Sequence, residues 1–129
     1  MSRRLISSGG PYERPFGYSR AVVVGDSCWV AGTADAGPDG TALHPGDPGA
    51  QARSILAVIE RALTDAGFSL GDVVRTRMFV TDMAASRPVL EVHGEVFGSI
   101  RPAATIVEVG ALIHPSFLVE IEAEARRSS

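Results

Sequence analysis

The chain has 129 residues, of which 45% are hydrophobic and 21% are charged, which fits one domain over residues 1–129 with an ordinary core. The formal net charge is −3 and the arginines are scattered, so we expect no nucleic-acid partner. No apolar run reaches the length of a membrane span, and the first residues lack the apolar core of a signal peptide. We therefore expect a cytoplasmic protein without a membrane partner.

The first half of the chain predicts a β-hairpin followed by a long loop. Residues 1–20 are rich in serine, glycine, proline and arginine and predict a loop, with at most a short strand near Leu5 and Ile6. The β-rich runs 21–24 and 27–31 are separated by two residues, Gly25 and Asp26, which is the spacing of a tight hairpin. The glycine- and proline-rich segment from 35 to 49 then predicts a surface loop.

Two helices and one strand follow. From residue 50 the apolar residues repeat at helical spacing until Gly67 ends the pattern, and they are Ala52, Ile55, Leu56, Ile59, Leu63 and Ala66. The β-branched run 73–82 predicts a strand. Segment 84–98 predicts a second helix, with Ser86 as its cap and Pro88 in its first turn.

The last quarter of the chain, residues 100–125, predicts two further strands at 105–109 and 117–125. In the second of these, Glu120 and Glu122 lie on one face while Val119 and Ile121 lie on the other. Solvent exposure alone is an ordinary explanation for such glutamates. The order of elements indicates an α+β fold in which both helices cover one face of the sheet, so we expect a second copy of the chain to cover the other.

Few residues carry a recognisable chemical motif. Cys28 is the only cysteine, which excludes an internal disulfide, and the three histidines have no metal-ligand spacing, so we expect neither a metal nor a cofactor. Tyr18 is a conspicuous loop aromatic that either covers the sheet edge or contacts a ligand. Gly32 allows either a close backbone approach or a strand-end bulge.

Several short motifs, each weak alone, occur in a fixed order along nearly the whole chain. They are Gly17-Tyr18-Ser19-Arg20-Ala21-Val22, Val30-Ala31-Gly32, Gln51, Arg101-Pro102-Ala103 and Leu118-Val119-Glu120-Ile121-Glu122-Ala123. The ordered set resembles the RidA/YjgF family of reactive intermediate deaminases. This resemblance implies a chorismate-mutase-like α+β fold, with a mixed sheet of about six strands and two helices packed on one face. It also implies a homotrimer with clefts between subunits for a small-molecule ligand.

The resemblance also implies roles for individual residues. Archetypal members hydrolyse reactive imines and enamines, such as 2-aminoacrylate, to 2-oxo acids and ammonia without a cofactor. By position, Glu120 matches the glutamate that orients the attacking water, and Tyr18 matches a tyrosine of the pocket. Gly32, with Thr33 after it, matches the turn that helps to shape that pocket.

Three ligand positions depart from the archetype. An arginine directly after a Pro-Ala pair holds the substrate carboxylate there, but the pair at 102–103 is followed by Ala104, and the nearest guanidinium is that of Arg101. Leu90 stands in place of a helix asparagine and Ile106 in place of a cysteine, so we expect a more apolar pocket lined by these two residues and Arg101. The sequence therefore predicts a divergent branch that lacks the substrate-binding arginine.

Two hypotheses about function remain open at this point. In the first, the chain is a cofactor-free hydrolase that deaminates a small imine, enamine or carbonyl compound, with Glu120 as general base. In the second, it is a non-catalytic trimeric module that binds a metabolite or acts like a chaperone. The position of Arg101 relative to Glu120 distinguishes them, because a cation beside the glutamate favours catalysis on an anionic substrate.

Overall fold

The computed structural model of the protein describes residues 2–128. The strands are β1 (Arg3–Ile6), β2 (Ala21–Val24), β3 (Ser27–Thr33), β4 (Val73–Val80), β5 (Ala103–Glu108) and β6 (Val119–Arg126). The helices are the single turn α1 (Glu13–Phe16) and the longer α2 (Pro48–Ala66) and α3 (Ser86–Phe97). Short 3-10 turns at Leu70–Asp72 and Met83–Ala85 precede β4 and α3.

The strands form one six-stranded mixed sheet in the order β1-β2-β3-β6-β4-β5. The hairpin of β2 and β3 is confirmed, and its turn residue Gly25 has a φ of 58°. β4 and β5 run parallel, with α3 as the crossover between them, and the other neighbours are antiparallel. The last strand, β6, therefore lies inside the sheet between β3 and β4, where its residues contact both halves of the fold.

The amphipathic helix α2 is confirmed, and its apolar side is buried against the sheet. It begins at Pro48, two residues before the predicted start, because the carboxylate of Asp47 caps it by accepting a hydrogen bond from the Ala50 amide at 3.0 Å. It ends at Gly67, whose φ of 85° provides the left-handed cap expected of a glycine. Within residues 2–128 no helix is long and apolar enough to cross a membrane.

The second long helix, α3, is also confirmed, but its predicted cap is wrong. Ser86 is already the first helical residue, and the cap position is Ala85, which makes no side-chain cap hydrogen bond. Asp82 instead caps the short turn before the helix, because its carboxylate accepts a hydrogen bond from the Ala84 amide at 2.9 Å. The side chain that caps the chain in this region is thus Asp82, four positions before the predicted Ser86, and it caps the 3-10 turn instead of α3.

Both long helices lie on one face of the sheet, as predicted, and the core lies between the two layers. The alternation in β6 shows this most clearly. Val119, Ile121, Ala123 and Ala125 are each at most 3% exposed. Glu120, Glu122 and Glu124 point to the opposite face, which no other element of residues 2–128 covers as a layer.

The N-terminal segment is more regular than its composition predicts. A full strand, β1, pairs with β2 from Arg3 to Ile6, and α1 forms within the predicted loop. In the segment between β3 and α2, an isolated bridge joins Ala36 to Ala42, and the Leu43 amide donates to the Asp35 carbonyl at 2.9 Å. The turn and bridge contacts give these glycine-rich segments a defined path.

Gln51 on α2 is fully buried and connects three segments of the chain. Its Nε2 donates to the carbonyls of His44 and Ser116 at 3.0 Å each, and its Oε1 accepts a hydrogen bond from the Leu118 amide at 2.9 Å. Leu118 directly precedes β6. The side chain therefore fixes the loop before α2 and the entry into the strand that carries Glu120.

We expect Gln51→Ala to lower the free energy of unfolding by about 2–4 kcal/mol, because it removes three hydrogen bonds to the backbone and creates a cavity at a fully buried position. Urea denaturation measures this change. Glu60→Ala is the matched control, since Glu60 is exposed on the same helix, and it should change stability by less than about 0.5 kcal/mol. A loss for Gln51→Ala no larger than that of the control would contradict the clamp.

Candidate functional site

Glu120 lies on the uncovered face of the sheet near the start of β6. Its neighbour across the pair of strands is Phe79 on β4, so one side of the carboxylate faces an aromatic residue. The side chain is half-buried although no helix covers this face. Glu120 is therefore a partly desolvated carboxylate at the middle of a sheet.

The bulge between β3 and β6 brings the backbone of Gly32 against this carboxylate. The pairing of the two strands shifts register between Val30 and Thr33, and Gly32 lies within the shift. A Cβ at position 32 would be 2.6 Å from Oε2 of Glu120 and 3.1 Å from its Cδ. Both uses of glycine that the sequence left open, the bulge and the close approach, are thus present at the same residue.

Arg20, which the sequence did not identify as a site residue, completes this cluster. Its Nη2 donates to the Gly32 carbonyl at 2.8 Å. Its Nε is buried and has no hydrogen-bond partner within residues 2–128. A buried unpaired donor costs about 1–3 kcal/mol, so this arginine does not lie here for the stability of the chain alone. The sequence feature that indicates Arg20 is a positive charge two residues after Tyr18, directly before β2.

The surroundings of Glu120 set its charge in opposing ways. Burial raises the pKa of the Glu120 carboxyl above its ordinary value, the positive charge of Arg20 opposes that rise, and the negative charge of Glu122 adds to it. Burial also lowers the pKa of Arg20, against the influence of Tyr18, Glu13 and Glu120. A carboxyl with a raised pKa beside a cation is suited to take up and release a proton.

Tyr18 is held near this cluster by the short helix α1. Its amide donates to the carbonyl of Glu13 at 2.9 Å, after the chain reverses at Gly17 with a φ of 73°. Tyr18 is 44% exposed and lines an open concavity of about 1110 Å³ on the uncovered face, which lies beside Glu120, Gly32 and Arg20 and is not lined by them. Other lining residues include Trp29 and Arg77, and the charge of Arg20 lies within range of both Tyr18 and Glu120.

Two residues predicted to contact the ligand lie on the other face of the sheet. Thr33 is 2% exposed, and its hydroxyl donates to the Ala31 carbonyl at 2.9 Å across the bulge. Ile106 shares its row of the sheet with Met78 and Ile121 and packs against the core. The side chains of Thr33 and Ile106 thus point away from the face that carries Glu120.

Leu90 and Arg101 lie in a third region of the chain. Leu90 is 42% exposed on α3, and Arg101 is exposed in the turn between α3 and β5, with a φ of 57°. β5 is aligned so that Val107 shares the row of Glu120, and Arg101 precedes the first residue of the strand. Ala103, the first residue of β5, is four residues from Val107, which is about 13 Å along the strand. Arg101 lies two residues before Ala103, so it does not approach Glu120 of its own chain.

Within one chain, the structure therefore brings together Glu120, Gly32 and Arg20, with Tyr18 nearby. The arrangement offers a proton acceptor, a rigid backbone surface and a cation. No group of three or more histidine, cysteine, aspartate or glutamate side chains that could hold a metal ion occurs in residues 2–128. The chemistry that this set of groups can perform is proton transfer to or from a small ligand or a water molecule.

Comparison with known proteins gives a consistent result. Residues 13–127 match the model of the Endoribonuclease L-PSP family. The crystal structure of Rv2704 from Mycobacterium tuberculosis, a member of the YjgF/YER057c/UK114 family, is 50% identical with a TM-score of 0.88, covering 98% of this chain and 100% of that one. The 3-aminoacrylate deaminase RutC of Acinetobacter baylyi is 34% identical over 125 residues, or 97% of this chain and 98% of RutC. The uncharacterised SCO2049 of Streptomyces coelicolor is 34% identical over 126 residues, 98% of this chain and 93% of its own.

The contact between positions 32 and 120 can be tested with a double-mutant cycle. Gly32→Ala should destabilise the protein by about 1–3 kcal/mol, because the added methyl group displaces the Glu120 carboxylate. In a Glu120→Ala background the same change should cost less than about 0.5 kcal/mol, measured by urea denaturation. Gly110→Ala is the control, since a Cβ at that position meets nothing within 4 Å. Equal costs in the two backgrounds would show that the contact does not exist in solution.

Proposed function

Because the chain belongs to the Endoribonuclease L-PSP family, which includes the RidA/YjgF proteins, and because it has the fold of those proteins, we propose that it hydrolyses a small imine or enamine. The observation that carries this proposal is the half-buried Glu120, whose pKa is raised by burial and which contacts Gly32 beside Arg20. The name of RutC, a 3-aminoacrylate deaminase, supports a substrate of this class.

The proposed reaction needs a water molecule, a proton acceptor and a proton donor. Water attacks the carbon of the C=N bond while Glu120 accepts one of its protons. An enamine enters the same step after tautomerising to the imine. The nitrogen then gains one proton from Glu120 and one from the hydroxyl group of the tetrahedral adduct, so it leaves as ammonia when the C–N bond breaks and a carbonyl compound remains. Glu120 returns its proton in this second step, so the carboxylate is regenerated and no cofactor enters the balance.

We propose that the site is completed by assembly into a homotrimer with clefts between subunits. The uncovered face of the sheet supports this, because it carries large exposed apolar residues such as Trp29 (46% exposed) and Val107 (40% exposed). The separation of Leu90 and Arg101 from Glu120 also supports it. In a cleft between chains, one chain supplies the cluster of Glu120 and its neighbour supplies the α3 and β5 edge.

The substrate preference should differ from that of archetypal deaminases. Ala104 stands where those proteins have the arginine that holds the substrate carboxylate, and such a charge-assisted pair contributes about 1.5–3 kcal/mol. A substrate that depends on this contact would bind at least about tenfold more weakly here. We therefore place the chain in a divergent branch that prefers a less anionic or more apolar ligand.

A second function is favoured by one observation, the alanine at position 104 in place of the carboxylate-binding arginine that the resemblance implies. If no guanidinium binds a ligand carboxylate at this position, the chain is a trimeric module whose cleft binds a metabolite without converting it. We do not propose ribonuclease activity despite the family description, because the chain has a formal net charge of −3 and no concentrated basic surface in its sequence.

The proposed assembly gives a direct test. Sedimentation equilibrium or light scattering should give a mass three times the 13.5 kDa of one chain. Val107→Glu, which adds a charge to the apolar part of the uncovered face, should shift the equilibrium toward smaller species. A wild-type monomer at all concentrations would exclude a cleft between subunits.

The proposed activity is tested by generating 2-aminoacrylate and 3-aminoacrylate enzymatically and following the release of carbonyl product and ammonia. We expect conversion above the spontaneous rate, with a loss of about a hundredfold or more in Glu120→Gln. Glu60→Gln is the control, since Glu60 is exposed on α2, which covers the other face of the sheet, and it should retain activity. If a panel of imines and enamines binds without being converted, the binding module is the correct function.

A further inference from the structure

The family resemblance gives no role to Arg20, although this residue binds the Gly32 carbonyl and its charge acts on Glu120. We infer that Arg20 is a positioning residue for Glu120, acting through the carbonyl of Gly32 and through its own charge. This inference rests on the proposed function, because it names the group that keeps the general base in place and ionised. Arg20 belongs to the same chain as Glu120, so the arrangement exists before any subunit contact.

Arg20 holds the backbone at the bulge between β3 and β6. The Arg20 guanidinium binds the carbonyl of Gly32 at 2.8 Å, and the Cα of the same glycine faces Oε2 of Glu120. Bulges lack the regular ladder of hydrogen bonds, so a side-chain donor that holds the carbonyl fixes the local backbone. A rotation of the Gly32 peptide would move the surface against which the carboxylate lies. Arg20 therefore determines where Glu120 can sit.

Arg20 also acts on Glu120 through its positive charge. Within residues 2–128, Arg20 is the one cation that affects its pKa, while Glu122 on the same strand opposes ionisation. On the facing strand β4, Phe79 lies directly opposite and is apolar, and Arg77 is bound to Glu122 at 3.2 Å and to Glu124 at 3.0 Å. On β3 the contact is the uncharged Gly32. Arg20 thus supplies the positive charge that favours the carboxylate form.

A single guanidinium performs both tasks because its donors form a planar fork with a delocalised charge. Glutamine offers an amide donor for the Gly32 carbonyl without a charge, and lysine keeps the charge on a compact ammonium group with three donors but without the planar guanidinium. Replacing arginine by each of these residues separates the two tasks. The proposed base should respond to the loss of charge with a change in ionisation and to the loss of the fork with a change in position.

The first test measures ionisation without reference to any substrate. The side-chain carboxyl carbons of glutamate are titrated by ¹³C NMR in the full-length protein, with Glu120→Gln to assign the Glu120 signal. In Arg20→Gln the midpoint for Glu120 should rise by about 0.5–1 pH unit. Arg53→Gln removes the same charge from an exposed site on α2, where Arg53 pairs with Glu95, and should leave the midpoint unchanged. An unchanged midpoint in Arg20→Gln overturns the inference.

The second test measures the pH dependence of conversion. Because the carboxylate is the active form, the rate falls as the pH drops through the pKa of Glu120, and this acid limb should move to higher pH in Arg20→Gln by the same amount. Arg20→Lys should lower the rate on the alkaline plateau, since the shorter side chain with its compact ammonium group does not place a donor where Nη2 binds the Gly32 carbonyl. A folded Arg20→Lys protein with both the rate and the acid limb of the wild type also overturns the inference, and this holds even if the glutamine variant does not fold.

The two tests distinguish this inference from the proposed function. A shifted Glu120 midpoint in a protein that converts no imine or enamine would support the role of Arg20 and contradict the hydrolase. Conversion by the wild type with an unchanged midpoint in Arg20→Gln would support the hydrolase and contradict the role of Arg20. Urea denaturation of each variant confirms that the titrated protein is folded.

Discussion

The carboxylate of Glu120 lies against the backbone of Gly32, and the candidate site depends on this contact because any side chain at position 32 would occupy the same space. The contact exists because the ladder between β3 and β6 is interrupted by a bulge, which brings one backbone segment toward the neighbouring strand. A glutamate on an open sheet face is ordinarily solvated. Here the bulge removes part of its water, and that desolvation is the main cause of its raised pKa.

Two polar side chains, the buried Gln51 and the partly buried Arg20, hold this arrangement from opposite ends. Gln51 binds the Leu118 amide just before β6 begins, and Arg20 binds the Gly32 carbonyl where β3 ends. Each is an expensive residue to bury, and each is oriented by hydrogen bonds to the backbone of segments distant in sequence. The site is therefore fixed by its backbone supports and does not rely on contacts among the functional side chains.

The relation between charge and function also follows from this arrangement. The cation that lowers the pKa of Glu120 in this chain is Arg20, which is bound to the backbone of β3. A cation already engaged with the Gly32 carbonyl has fewer donors to offer a ligand. The position of Arg20 thus favours control of the ionisation of Glu120 over binding of an anion.

The sequence by itself determined the features that depend on local periodicity and chain geometry. The apolar spacing of α2, its end at Gly67, the hairpin at Gly25 and the alternation that separates Glu120 from Ile121 were all confirmed, because side-chain direction follows directly from the 3.6- and 2-residue repeats. The ordered motifs also indicate the family, whose model matches residues 13–127.

Only the tertiary structure decided which side chains meet. The cap of α3, the length of β1, the face on which Ile106 lies and the partnership of Arg20 with Gly32 depend on strand register, on a bulge and on hydrogen bonds between distant segments. A shift of one residue in register transfers a side chain to the opposite face, and periodicity does not specify that shift. Arg101 appeared to be the natural cation because it is close to the last strand in sequence. In the structure Arg20 is the cation near Glu120, because it binds Gly32 on β3 and β3 pairs with β6.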